Sequence, residues 1–456
     1  MSKQYYILAV IFSILYLLSL SPSVYSTIEA RVIKTRIINY PDNAEYHGFG
    51  TRSYIVYDYD KDGYCEVILV NVVNGMWVKG SITILNSTGI EKYKFLTEFT
   101  PYKVFVYDEL IGVIGFYTNS STYGVALFNN DLHVVDKYVL NQEYPIPTSV
   151  FVIPDKPLVY NGRVFFNIIP SYENNSYTDL VVLEPSKGEI RVYARTYNVI
   201  IESSPRAVGD LITWGPLIVD ANDLSLRLNL TTTLNLTNKT IHDTILADNN
   251  RLYLVYGSFP ASINESSYLA VYDLDNNRYY LHPIPYSTSK SLYIARFNHI
   301  TDKLYLSTID VFNVLTTIGT KIYLVYKLCN ITGGKLDIMI SINTSRIGYV
   351  FNNDLLYLIS DNKLYIINPT DLSHAIVLLE NLSTIRATIV EPIVLEGNSE
   401  KSLIILSRTN ILYVTIQLNI KPKQPRITQY PLNEKPYIVL LVMTIFLFII
   451  TLKNKK

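Results

Sequence analysis

Acidic side chains gather in this sequence at one spacing that could hold a metal ion. The run Asp58-Tyr59-Asp60-Lys61-Asp62-Gly63-Tyr64-Cys65-Glu66 sets carboxylates at the first, third, fifth and ninth positions of a loop, with glycine at the sixth. Gly63 permits the sharp turn that lets these groups converge, and hard oxygen ligands on a tight loop suit Ca²⁺. Asp58, Asp60, Asp62 and Glu66 are the candidate side-chain ligands, and the carbonyl of Tyr64 is the expected main-chain ligand. Oxygen ligands without an acid–base partner point to a stabilising ion rather than a catalytic one. The competing reading is a solvated acidic turn.

An EF-hand would carry an acid at its twelfth position, where this chain has Leu69, and would need flanking helices, whereas Ser53–Tyr57 and Val67–Val73 have strand composition. The segment instead resembles the FG-GAP repeat, the calcium-loop repeat of integrin α-subunit propellers and many exported microbial proteins. That pattern, Asp-x-Asp-x-Asp-Gly-x-x-Asp before an apolar strand, is matched by Asp58, Asp60, Asp62, Gly63 and Glu66, then Val67-Ile68-Leu69-Val70. Glu66 stands where the family has Asp. The resemblance covers about 53–73 only, while the family usually carries several copies. Asp273-Leu274-Asp275-Asn276-Asn277 lacks the glycine and reads as an ordinary hairpin. The resemblance implies a propeller blade and a structural calcium ion.

Other chemistry is sparse. The six histidines, His47, His133, His242, His282, His299 and His374, have no metal-pair spacing. There is no Gly-x-Ser-x-Gly elbow, no phosphate-cradling glycine loop and no Cys–His pairing. Carboxylates paired from distant parts of the chain stay open as a glycosidase or lyase site. Cys65 and Cys329 are far apart in sequence and are expected as buried free thiols. The 39 tyrosines could line a sugar-binding surface, but tyrosine alternating along strands favours packing. Lys plus Arg equals Asp plus Glu at 39 each, so the chain lacks the basic excess that a nucleic-acid binder uses to displace counterions.

The elements that must position these residues read as strands. Short runs rich in Val, Ile, Leu and Tyr alternate with turn residues, and an echo of the form Leu-Tyr-Leu recurs in Arg251–Tyr256, Lys303–Thr308, Lys321–Tyr326, Leu355–Ile359 and Ile411–Thr415. Grouped in fours, the strands form blades over 53–96, 103–140, 157–194, 207–240, 244–283, 292–342 and 347–379. The stretch 387–416 supplies three more strands, and Ala30–Asn39 can supply the fourth, closing a ring and leaving few free edges. The expected fold is all-β, an eight-bladed β-propeller, with a seven-bladed ring as alternative and a pair of β-sandwiches as the outside alternative. The 207–240 blade is the weakest, because Leu224–Thr240 alternates without clear partners.

The ends assign a compartment. Lys3, the apolar run Ile7–Leu20 and Val24-Tyr25-Ser26 follow the order of a signal peptide, 1–26, cleaved after Ser26 or, failing that, Ala30. A charge-free segment, 437–452, reads as a transmembrane helix; as a helix it rises roughly 24 Å. Lys453, Lys455 and Lys456 form a basic tail, 453–456, that the positive-inside rule keeps cytoplasmic. A lipid-anchor signal would end apolar instead. Four prolines mark 419–436 as a stalk, so 27–418 is the expected propeller ectodomain of a single-pass cell-membrane protein. Its sequons, Asn86, Asn119, Asn174, Asn229, Asn235, Asn238, Asn264, Asn330, Asn343 and Asn381, are expected glycosylation sites. The favoured function is a surface binding, adhesion or scaffold module with a protein or glycan partner, anchored through its C-terminal helix. The alternatives are an extracellular carbohydrate-active enzyme using carboxylates near the ring axis, and a solute-sensing ectodomain of a membrane complex.

Overall fold

Two-residue turns with both φ angles positive punctuate the chain: Asp108-Glu109 (45° and 66°), Asn161-Gly162 (49° and 69°) and Asn353-Asp354 (47° and 61°). Such turns match the twist of paired strands, and Asn, Asp and Gly tolerate these angles best. Each joins the first and second strands of a sheet. The computed structural model describes residues 26–46, 53–73, 76–145, 156–170, 177–247, 250–258, 267–284, 292–300, 303–316, 319–332, 335–369, 375–379, 390–396 and 400–422.

The chain divides into two units. One, Met1–Glu29 with Asn419–Lys456, is described only at 26–29 and 419–422, both extended strand. The expected signal before Ser26, the 437–452 helix, the basic tail and the stalk beyond Pro422 lie outside the described residues; the last strand runs on through Pro422, into the segment expected as stalk. Among the described residues no helix is long and apolar enough to cross a membrane.

The other unit, Ala30–Leu418, is an eight-bladed β-propeller, not a seven-bladed one and not a pair of sandwiches. In chain order the blades occupy 44–96, 99–139, 158–197, 206–229, 239–283, 292–344, 347–379 and 391–422, here blades one to eight. Blade eight takes its fourth strand from the start of the chain: the order runs Ser26–Asn39, Asn410–Pro422, Lys401–Leu406, Glu391–Glu396. Arg31 Nε donates to Gln417 Oε1 at 2.8 Å across that closure. Blade five gains a fifth strand, Val199–Ile201, parallel to Lys239–Ile241. The 207–240 grouping is corrected. Blade four ends at Asn229, and 230–238 folds back in turns that bury Leu230, Leu234 and Leu236, before Lys239 opens blade five.

The core lies in the seams between blades. In Glu66–Val73 every residue is buried, but the two faces go different ways. Val67 and Leu69 pack with Ile393, Leu395, Ile404 and Leu406 of blade eight. Ile68 and Val70 pack with Val104, Ile111 and Val113 of blade two. This explains why Val67–Val70 reads as an unbroken apolar run instead of alternating. Three of the five Leu-Tyr-Leu echoes mark one structural place: Tyr253, Tyr305 and Tyr357 are buried in the second strands of blades five, six and seven, at equal spacing, whereas the echoes at Lys321–Tyr326 and Ile411–Thr415 fall in third strands. Cys329 is buried in the seam between blades five and six, whereas Cys65 is exposed, because it sits on the acidic loop and not on a strand.

Burial on both faces has a direct test. Ile68→Ala and Leu69→Ala should each cost about 2–5 kcal/mol, since each leaves a cavity in a different seam. Thermal unfolding of the two variants should show comparable losses; a large loss at one position beside a small loss at the other would indicate a sheet covered on a single face.

Candidate functional site

The acidic loop is closed at its base by strand pairing, with Tyr57 opposite Glu66. Lys61 (φ 62°) and Gly63 (φ 92°) are left-handed, and a Cβ at Gly63 would meet nothing within 4 Å, so backbone angle rather than space selects glycine there. Asp58 Oδ2 accepts from Gly63 N at 3.1 Å, and Asp60 Oδ1 from Asp62 N at 3.2 Å. The outcome is convergence: one carboxylate oxygen from each of Asp58, Asp60 and Glu66 lies within 4.8 Å of the other two. Asp62 stands outside that group, its Oδ1 accepting from Tyr64 N at 2.8 Å, and the Tyr64 side chain is exposed.

Burial grades across the trio, from exposed Asp60 through Asp58 to Glu66, which is 3% exposed. Burial, together with the charges of Asp60, Glu91 and Asp62, pushes the Glu66 carboxyl up to about 7, against a bond from Tyr59 N at 3.3 Å. Asp58 Oδ1 is buried with no hydrogen-bond partner. Tyr59 anchors the loop: its ring is buried in the seam between blades one and two, its hydroxyl donates to Glu91, and Lys92 lies over the ring at 5.0 Å. Lys61 reaches away to Glu109 on the first turn of blade two. Three clustered carboxylates with a buried, unused oxygen are a donor set that fits a hard divalent cation.

A second constellation lies where blades four, five and six meet. Asp243 uses both oxygens: Oδ1 and Oδ2 each accept from Arg206 Nη2 at 2.8 Å, Oδ1 from Thr244 N at 2.9 Å, and Oδ2 from Phe297 N at 2.7 Å. One side chain thus ties three blades. A β-bulge between Ile241 and Asp243 makes His242 the extra residue, and its Nδ1 lies 3.0 Å from Glu202 Oε2. Arg296 Nη1 donates to His242 O at 2.9 Å. Asp310 is fully buried 3.4 Å from Lys327 Nζ; burial pushes its carboxyl up to about 6, against the pull of Lys327 and His242. Elsewhere Arg195 grips Asp179 through two bonds of 2.6 and 2.7 Å, and Arg163 and Lys187 hold Glu184 below the usual carboxylate range.

Sequence reasoning missed this cluster. Its members are dispersed along the chain and only ring assembly brings them together; the one signal was a set of charged residues inside otherwise apolar strands. As for the sequons, Asn119, Asn229, Asn235, Asn238 and Asn343 are exposed and Asn86 is half-buried at a hairpin. Asn330 lies inside the Gly319–Thr332 strand, paired on both sides. Asn174, Asn264 and Asn381 lie outside the described residues.

No family model matches the chain, and no curated protein matches it. Among solved structures it is similar to the extracellular domain of the one-component system BT4673 from B. thetaiotaomicron, at 11% identity and TM-score 0.41, covering 84% of this chain and 40% of that one. It is also similar to the N-terminal domain of Nup159, at 8% identity and TM-score 0.40, over 87% and 97% of the two chains. A third is the WD40 domain of SCAP from fission yeast, at 10% identity and TM-score 0.39, over 83% and 98%. The chain thus spans less than half the length of the first of these. Likeness at this level carries no argument about ligand or activity.

Two outcomes follow for the buried charges. Asp243→Ala strands Arg206 and two backbone amides and should cost about 3–5 kcal/mol in unfolding experiments; a loss below about 1 kcal/mol would remove Asp243 as a tie between blades. The Asp310 carboxyl is raised from an ordinary 3.8 to about 6, so its neutral form is favoured by folding. Its contribution is present below pH 4 and lost as pH rises through 6, by roughly 2–3 kcal/mol. Asp310→Asn should flatten that part of the stability–pH curve; an unchanged slope would assign it to another group.

Proposed function

We propose that this chain is a membrane-anchored extracellular β-propeller that acts as a surface binding, adhesion or scaffold module, stabilised by calcium and N-glycosylated. The supporting observation is a contrast among its buried carboxylates. Asp179, Asp243, Asp310 and Glu184 each have a cationic partner. Glu66 is equally buried, is clustered with Asp58 and Asp60, and among the described residues has no cationic partner. A bound cation supplies the missing charge.

In this reading Asp58, Asp60 and Glu66 hold Ca²⁺, joined by Asp62 and the Tyr64 carbonyl as in the FG-GAP loop they resemble. The ion would fix the loop against blade two and shield three like charges; it supplies stability, and no reaction step is assigned to it. Export, the C-terminal membrane helix and a cytoplasmic tail rest on the sequence of the two ends. The partner is a surface protein or a glycan met by the loops of the ring.

A carbohydrate-active enzyme is the second reading, favoured by Asp310, whose carboxyl titrates near 6 in the cluster of blades five and six. It is the weaker reading because Asp310 is fully buried and the Asp243 oxygens are filled by protein donors. Oligosaccharide turnover by the purified ectodomain would promote it above the binding module.

Calcium gives the sharper test. Chelation should lower the melting temperature and added Ca²⁺ should restore it, with a gain of about 2.7 kcal/mol at one hundred times the dissociation constant. Asp58→Ala and Asp60→Ala should fold but lose that response. Identical melting curves with and without Ca²⁺ would overturn the ion assignment.

A further inference from the structure

The irregularity at blade four leaves a space with a defined lining. The outer strand of blade three, Glu189–Tyr197, has nine residues, and that of blade four, Leu226–Asn229, has four. Where the shorter strand stops, a cleft of about 430 Å³ remains between the two blades, within the range of small-ligand sites. Tyr193, Tyr197 and Leu226 give it apolar walls, and Asn229, Thr231 and Thr232 give it amide and hydroxyl groups. Tyr197 is 68% exposed and Leu226 55%, so both hold apolar surface out to solvent beside these polar groups. Arg195, the cation in the lining, is bound twice to Asp179, which leaves the cleft suited to a neutral ligand. A face of C–H groups for the ring of Tyr197 and hydroxyls for Thr231 and Thr232 describe a pyranose.

The same cleft contains a sequon. Asn229-Leu230-Thr231 places both its acceptor and its hydroxyl residue in the lining, and Asn229 Oδ1 accepts from Thr231 N at 2.9 Å. Asn229 itself is exposed. We infer that the cleft seats the first sugar of a glycan carried on Asn229, so that the chain's own modification covers Tyr197 and Leu226 and fills the gap left by the short strand. This rests on the exported, glycosylated reading above. The modification joins Asn229 Nδ2 to the anomeric carbon of a sugar and breaks that carbon's bond to the phosphate of a lipid-linked donor. The phosphate leaves with the electron pair, and the amide loses a proton. Asn235 and Asn238, also exposed sequons, lie outside the cleft and gain no such wall.

The test uses the full-length protein purified from the cells that produce it. Peptide mass spectrometry reads sequon occupancy, and hydroxyl-radical footprinting reads exposure of Tyr197 and Leu226, with Tyr280 on blade five, 56% exposed, as internal reference. Thr231→Ala removes the sequon but keeps the backbone amide that Asn229 accepts from; Thr231→Ser retains the sequon. The expected result is an occupied Asn229, with oxidation of Tyr197 and Leu226 rising several-fold in Thr231→Ala, unchanged in Thr231→Ser, and constant at Tyr280 throughout. Glycan at other sequons with Asn229 bare would overturn the cleft assignment alone. So would an occupied Asn229 whose loss leaves Tyr197 oxidation unchanged. No glycan at any sequon would overturn both this inference and the glycosylation reading.

Discussion

Every sheet of this propeller must be covered on both faces, and that requirement governs the rest. A strand such as Glu66–Val73, buried along its whole length, cannot be served by one neighbour. Blade one therefore needs blade two on one side and, on the other, a blade assembled from the end of the chain. The ring closes because open it would leave a row of Val, Ile and Leu side chains in water at each end, each worth about 1.5–3 kcal/mol on burial. Pairing Ser26–Asn39 with Asn410–Pro422 makes the closing blade from both ends of the chain, so the seam least supported by sequence proximity is held by backbone hydrogen bonds as well as apolar packing.

That two-sided burial also decides what could be read from the sequence. The blade count was legible because turn chemistry repeats: Asn and Asp at positive φ separate successive strands, and the buried tyrosines of blades five to seven return at a fixed interval. The contribution of Ala30–Asn39 to the last blade was legible from a shortage of one strand. Blade four was misjudged because alternation in Leu224–Thr240 looked like one strand, whereas Leu230, Leu234 and Leu236 are buried from a turn. Periodicity registers burial, and a folded-back loop can bury alternate residues as well as a strand can.

The acidic loop was legible as a motif because its residues are contiguous, and the structure converges Asp58, Asp60 and Glu66 from it. The cross-blade cluster had no comparable signal. Asp243 and Arg206 are tens of residues apart, and Phe297, whose amide completes the set, is an apolar residue in sequence. Nothing in the spacing of such groups marks them. The constraint that joins them, a full set of donors for a buried carboxylate, operates only after the blades have packed.

Both sites answer the same physical demand in different ways. Taking a carboxylate out of water costs several kcal/mol unless hydrogen bonds and an opposite charge replace the lost solvation. Asp179 is supplied by Arg195 from the neighbouring strand and Asp243 by Arg206 from the neighbouring blade, which turns the cost into a tie. Blade one departs from that rule: Lys61 is turned toward Glu109 and Lys92 lies over the Tyr59 ring, so the nearby cations are drawn away from Glu66. Among the described residues Glu66 has no such cation beside it, and that contrast is the basis of the calcium reading proposed above. On that proposal the ring combines two kinds of stability, one built into the chain and one dependent on the ionic medium around it.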